Sequence, residues 1–336
     1  MQKYGVPFYG AAWVPYNNVR SKLASREDPD KADDDESSSA SEVTASHSYV
    51  VLAGGGGEGR SGIPNAIIVS HADFASISLS DQPVAKLEIG SQLPYRMAVH
   101  PGGDGLICAL PDSCRLFEWE EVESSEVHKL SVKVSEKVLS QLEGFGQQLA
   151  LAFDSEGSIL AVGGEDGNLR VFMWPTMEII LNEAQAHTSV KDLTFSPNGK
   201  FLVSLGRILC RVWDLTTLKA VASLPRENNR SFTIFEIGNF CYSLPCSGTI
   251  QGDILIIDSS TLRVQTVVRK AHLGLVTALT FSHDSRALLS VSMDSSVRMT
   301  VIKDKKKNGG MNLWVIIFIV VLAVTVYLMR NKGIIP

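Results

Sequence analysis

The chain has 336 residues, 45% of them apolar, and a formal net charge of -5. That is enough apolar chain for one large domain with a sizeable core, and too acidic a balance to supply the basic field that nucleic acid requires. Five cysteines, at 108, 114, 210, 241 and 246, are odd in number and contain no CxxC pair, which excludes a disulfide framework and a zinc knuckle and reads as reduced, cytosol-facing thiols.

Residues 1–15 alternate Tyr, Val, Phe and Trp with Gly and Pro and have neither the charged nor the apolar region of a signal peptide, so two short strands are expected here. From 17 to 48 the composition turns acidic and serine-rich, with Asp33, Asp34, Asp35 and Glu36 running into Ser37, Ser38 and Ser39. Little there can be buried, and the span is expected to be a disordered insertion.

From residue 49 to 302 the chain repeats. Leu151-Ala152-Phe153-Asp154, Leu193-Thr194-Phe195-Ser196 and Leu279-Thr280-Phe281-Ser282 are each a short apolar strand entering a turn, and Met97-Ala98-Val99-His100 has the same phase. Each is followed by a second strand (106–110, 159–163, 201–205, 287–292) and a third (114–119, 168–174, 210–215, 297–302). Arg211-Val212-Trp213-Asp214 is a WD-type strand ending, and His187 and His272 fall where such repeats open. Short strands at a period of about 40 residues predict an all-β fold, a WD-repeat β-propeller. The two histidines are then structural, since they share one phase of the repeat and no ligand cluster accompanies them.

The residues before the turns, Trp13, Val99, Phe153, Phe195, Phe235 and Phe281, count six blades. Residues 3–8 are left to supply the outer strand of the last blade, closing the ring and removing open sheet edges. The interval 216–271 is the irregular part of this count.

At the carboxyl end, residues 303–312 form a basic linker and 313–329 an uncharged apolar run, followed by a tail at 330–336. Seventeen residues span roughly 25 Å as a helix, which suits a thin bilayer such as that of the endoplasmic reticulum. The excess of lysines before the span places the propeller in the cytosol and the tail in the lumen. One single-pass transmembrane helix is expected.

Residues 54–65, Gly-Gly-Gly-Gly-Glu-Gly-Arg-Ser-Gly-Ile-Pro-Asn, stand apart from the repeat. Ordering so many glycines costs chain entropy, so backbone groups must converge there for a purpose. Gly54-x-Gly56-x-x-Gly59 formally satisfies a dinucleotide fingerprint. The next residues, Ala66-Ile67-Ile68-Val69, read as a strand, whereas phosphate binding needs a helix amino terminus at that place. No nucleophile-base pair or paired carboxylates suggest hydrolytic or transfer chemistry.

On Ala53 to Gly59, Gly62-Ile63-Pro64-Asn65, the amino-terminal Tyr4-Gly5-Val6-Pro7 and the block Ala271-His272-Leu273-Gly274-Leu275-Val276-Thr277, the chain resembles the endoplasmic reticulum exchange factors that load the Sar GTPase and start COPII coat assembly. The plant SEC-twelve-like branch is the nearest in pattern. The resemblance implies a cytosolic propeller, seven-bladed in the family, tied to the endoplasmic reticulum membrane and acting on a Sar-type GTPase. It implies a potassium ion ordering the loop of Gly54, Gly55, Gly56, Gly57, Glu58 and Gly59. It further implies that Asn65 is the residue contacting the GTPase, with Gly62, Ile63 and Pro64 holding it in place. A related branch helps phosphate transporters leave the endoplasmic reticulum without exchange activity and lacks this loop, so the intact loop favours the exchange factor.

Overall fold

The computed structural model describes residues 1–27, 48–59, 61–124, 127–207, 209–225, 232–237, 245–257 and 264–302 of the 336. Two units separate along the chain, Met1–Ile302 and Lys303–Pro336. The second lies outside the described residues, and with it the basic linker and the expected spanning segment; among the described residues no helix is long and apolar enough to cross a membrane.

The first unit is built of strands because its apolar runs are short, mix Val, Ile and aromatic residues with Leu and Ala, and are broken every few positions by Gly, Asp, Asn and Ser turns. The strands form six antiparallel sheets. Blade 1 takes β2 (Phe8–Trp13), β3 (Ser48–Gly54) and β4 (Ala66–Asp73), with β5 (Ser78–Leu79) and β6 (Ala85–Glu88) sharing its outer edge. Blade 2 takes β7 (Arg96–Val99), β8 (Leu106–Ala109), β9 (Cys114–Ser124) and β10 (Val127–Val138). Blade 3 takes β11 (Gln148–Phe153), β12 (Ile159–Gly164), β13 (Leu169–Met173) and β14 (Glu178–Glu183). Blade 4 takes β15 (Asp192–Phe195), β16 (Phe201–Leu205), β17 (Leu209–Asp214) and β18 (Lys219–Pro225). In the irregular interval, blade 5 is a complete sheet of β19 (Phe232–Ile237), β20 (Pro245–Thr249), β21 (Ile254–Ile257) and β22 (Val264–Val268). Blade 6 takes β23 (Val276–Phe281), β24 (Ala287–Ser292) and β25 (Ser296–Val301).

The ring is closed by the amino terminus: β1 (Gln2–Lys3) pairs with β25, Gln2 opposite Val297 and Lys3 opposite Ser296. The closing strand is thus shorter and slightly earlier than residues 3–8. Among the described residues six blades make the ring, where the family resemblance implies seven. Apolar side chains fill the seams between blades. Phe8, Val50, Leu52 and Ile68 of blade 1 share a cluster with Leu289, Val291 and Val297 of blade 6, while Val51, Ile67 and Val69 point to the other face and pack on Leu106, Phe117 and Trp119 of blade 2. This alternation is the period-2 rule of a strand buried on both faces.

One stretch departs from the expected disorder. Residues 17–27 belong to helix α1 (Tyr16–Glu27), and 28–47 lie outside the described residues. Tyr16, Val19 and Leu23 share a helical stripe; Val19 is fully buried and Tyr16 packs on Tyr49 at 5.0 Å between ring centres. Asn18 Nδ2 donates to Pro101 O at 2.8 Å, and Lys22 and Arg26 pair with Asp104 and Glu118. The bulk of the span is polar enough to hide those three anchors.

The inner strand of every blade starts at one end of the ring and finishes at the other. Residues 54–65 join β3 to β4 at the end where the inner strands start. The helix α1 follows Trp13 at the opposite end, where a cavity of about 1120 Å³ is lined by Trp13, Phe153, Phe195 and Phe281. Ile302 also lies at that opposite end, after β25.

The candidate functional site

The loop is organised from its last residue. Asn65 is only 2% exposed. Its Oδ1 accepts from Gly57 N at 2.9 Å, and its Nδ2 donates to Gly57 O at 3.1 Å and to Gly90 O at 2.9 Å. Asn65 O accepts from Ile89 N at 3.0 Å. One side chain therefore pairs both backbone groups of Gly57, eight residues back, and ties them to the segment that follows β6. In this geometry the side-chain carbonyl and both amide hydrogens of Asn65 are engaged, by Gly57 within the loop and by Gly90 beyond it.

The glycines answer to steric demands that differ along the loop. A Cβ on Gly54 would strike Pro7 O, whose carbonyl accepts from Gly55 N at 2.9 Å. At Gly55, with φ of +150°, a Cβ would overlap Asn65; at Gly56 it would meet Ser61 and lie 2.9 Å from Ile63 O. Gly57, Gly59 and Gly62 have open space around them but φ of +84°, +78° and +71°, a conformation that side chains rarely adopt. The first three are required by close approach, the last three by turning. Ser61 Oγ donates to Gly56 O and accepts from Ile63 N, both at 3.3 Å, and Gly59 N donates to Gly57 O at 2.7 Å.

The closed loop shows Glu58, Gly59, Gly62 and Pro64 outward, all exposed. Ile63 is half-buried against the apolar cluster shared by blades 1 and 6, so it roots this outer face in the ring seam. After Asn65 the chain enters β4, a strand as expected, and offers no helix amino terminus to a phosphate. Gly90, the third partner of Asn65, carries no sequence signal that distinguishes it from any other turn glycine.

The remaining polar groups of interest are structural. His187 Nε2 pairs with Ser204 Oγ at 2.7 Å, and Trp213 Nε1 donates to the same oxygen at 2.8 Å. His272 sits between Ser296 Oγ at 2.5 Å and Ser290 Oγ at 2.8 Å. Burial holds the His187 imidazole below its usual pKa, Arg211 adding to the effect, and pushes His272 down to about 4 despite nearby Asp294. Both rings are neutral at pH 7. Cys108 and Cys114 are free, buried thiols, and burial pushes Cys114 up to about 12, which keeps it unreactive. Among the described residues no group of His, Cys, Asp and Glu could hold a metal ion.

Six antiparallel sheets with the histidine, serine and tryptophan lock in one blade define a WD-repeat β-propeller, and the WD domain, G-beta repeat family matches residues 136–172, 180–214 and 263–299. Over 361 aligned positions the chain is 50% identical to SEC12-like protein 2 of Arabidopsis thaliana, covering 94% of this chain and 91% of that protein. It belongs to the SEC12-like family. SEC12-like protein 1 of Arabidopsis thaliana is 25% identical over 315 positions, 77% of each chain, and the guanine nucleotide-exchange factor SEC12 of Mus musculus is 35% identical over 100 residues, 28% of this chain and 22% of that one.

Proposed function

We propose that this protein is a guanine-nucleotide exchange factor for a Sar-type small GTPase at the endoplasmic reticulum membrane, where GDP release starts COPII coat assembly and transport to the Golgi. The observation that carries this reading is the loop: twelve residues closed by Asn65 on the backbone of Gly57 and Gly90, projecting Gly62 and Pro64 from a rigid ring. Kinship with the SEC12-like family supports it.

Exchange needs no hydrolysis or group transfer. It needs a surface that binds the nucleotide-free GTPase better than the loaded one, and a thousandfold faster release corresponds to roughly 4 kcal/mol of that preference. The loop suits this task because its outer face is fixed before the partner arrives, so little ordering entropy opposes binding. Glu58, Gly59, Gly62 and Pro64 form that face; Ile63 roots it and Asn65 positions it.

The reading includes the potassium ion that the resemblance implies, which uncharged backbone carbonyl oxygens of residues 54–65 would hold, such oxygens suiting a large, weakly hydrated cation. When bound, the ion would add rigidity to a loop that Asn65 and Ser61 already close. Residues 313–329 serve as the single-pass membrane anchor, with the propeller in the cytosol.

The test is release of labelled GDP from a Sar-type GTPase by the full chain in detergent, in potassium and in lithium, beside Asn65→Ala. Wild-type acceleration, an Asn65→Ala loss of about 100-fold with melting lowered by only a few degrees, and a further fall in lithium are expected, a few broken charge-neutral hydrogen bonds and a released loop being enough for that loss. No acceleration by a folded wild-type chain would overturn the exchange reading.

A further inference from the structure

The glycine loop presents too little surface to hold a folded GTPase by itself, because a specific interface buries about 800 Å² on each partner. The rest must come from the same end of the ring. On that end, in blades 5 and 6 and the link between them, three turns carry large apolar side chains into solvent: Ile250 is 52% exposed, Leu273 81% and Met293 44%. Single exposed apolar residues are ordinary on a protein surface; these three belong to one knitted structure.

Leu273 N donates to Asp294 Oδ2 at 2.6 Å, and Met293 N donates to Leu275 O at 3.3 Å, so the turn before β23 and the turn after β24 hold one another. Asp294 is itself fixed by Ser296, through its backbone N at 2.9 Å and through its hydroxyl. On the other side, Gly252 packs so closely on His272 O and Gly274 O that its turn admits no Cβ, and His272 N donates to Gly252 O at 3.1 Å. The buried His272 beneath, between Ser290 and Ser296, makes the base rigid. Leu273 is thus an exposed leucine on an immobilised backbone, the state in which an apolar anchor contributes most to binding because little entropy remains to be lost.

Hydrogen bonds link the base of this patch to the root of the loop. Thr277 Oγ1, four residues after Leu273, donates to Phe8 O at 2.5 Å, and the adjoining Pro7 O accepts from Gly55 N at the root of the loop. Ile63 packs into the cluster that blades 1 and 6 share.

We infer that Leu273 and Met293, flanked by Ile250, are the second half of the GTPase-binding surface: an apolar docking patch that supplies affinity while the loop of residues 54–65 acts on the nucleotide site. The inference rests on the exchange-factor reading and deepens it, naming the occupant as an apolar face of the same GTPase. A patch that only docks the partner governs how much exchange factor is needed and leaves the maximal release rate alone. A residue of the loop does the reverse.

The experiment measures labelled GDP release from a Sar-type GTPase over a range of full-length protein concentrations in detergent, for wild type, Leu273→Ser, Met293→Ser and the double variant. Val221→Ser and Val264→Ser, on the outer strands β18 and β22, serve as controls. The half-saturating concentration is expected to rise about 10-fold for Leu273→Ser and further for the double variant, with an unchanged maximal rate, as for an anchor near the centre of an interface. Melting temperatures check that the solvent-facing substitutions leave the ring folded. An active wild type with unaltered half-saturation in all three patch variants overturns the docking patch and leaves the exchange reading standing. A wild type that releases no GDP overturns both.

Discussion

Blade 4 and blade 1 each bury two sheet faces between neighbours, and they secure their turns by different chemistry. In blade 4 a histidine before the inner strand, a serine on the second and a tryptophan on the third converge: His187, Ser204 and Trp213 share one hydroxyl in a buried knot. In blade 1 the turn between the second and third strands is the glycine loop, and the convergence is of backbone on a single asparagine, Asn65. The side-chain lock serves only the ring. A backbone lock, which needs glycine at nearly every step, is costly to order and is kept where the outer face of the turn has a task.

The contrast can be broken from the blade 4 side first. Trp213→Ala removes a side chain that is 2% exposed and strips Ser204 of a donor, so a loss of about 3–5 kcal/mol is expected from cavity formation. Chemical denaturation reads the loss, and GDP release by the fraction that remains folded should be normal. Reduced release per folded molecule would mean that blade 4 reaches the loop.

The histidines sharpen the same comparison through pH. The His272 imidazole, held at about 4 by burial and faced by Asp294, Arg298 and the amino terminus, takes up its proton more readily in the unfolded chain, whose ordinary value is 6.5. Stability is therefore complete above pH 6.5 and falls as pH drops from 6.5 towards 4, by about 3 kcal/mol at about 1.4 kcal/mol per unit, with no further loss from this residue below 4. His187 is depressed by burial as well and contributes in the same direction. Denaturation midpoints at pH 7, 5.5 and 4 test the slope, which His272→Gln should flatten.

The smallest change expected in the stability of the ring, with a selective effect on function, is Gly55→Ala. A Cβ there overlaps Asn65 and strains a φ of +150°, so the loop must open while blades 2 to 6 are untouched. A loss of release of roughly 50-fold with melting lowered by only a few degrees is expected, since a displaced positioning group alone costs about that much. Equal loss of melting and release would show that loop and ring fold as one unit.

Most strands were legible because β-branched and aromatic residues alternate with turn residues in a fixed phase: β16 and β24 run over the expected 201–205 and 287–292. Blade 5 was obscure in sequence since its turns depart from that phase, yet pairing between neighbouring strands completed it. Helix α1 was missed for a different reason. Three apolar anchors, Tyr16, Val19 and Leu23, are outnumbered by polar neighbours, and the helix is stabilised by packing against Tyr49 and blade 2 that no local count can foresee.

The same division applies to the candidate site. The run of glycines ending in Ile63-Pro64-Asn65 marked the loop, because six glycines among twelve residues have a conformational meaning that survives without any coordinates. Its direction, inward for Asn65 and outward for Gly62 and Pro64, depended on Gly90 and Pro7 arriving from other parts of the chain. The sequence by itself determined the repeat, the number of blades, the closing amino terminus and the place of the loop, all of which follow from local periodicity and backbone freedom. Only the tertiary structure decided which side chains of the loop are spent within it and that Ile250, Leu273 and Met293 stand together at its side, since exposure is set by contacts between segments far apart in the chain.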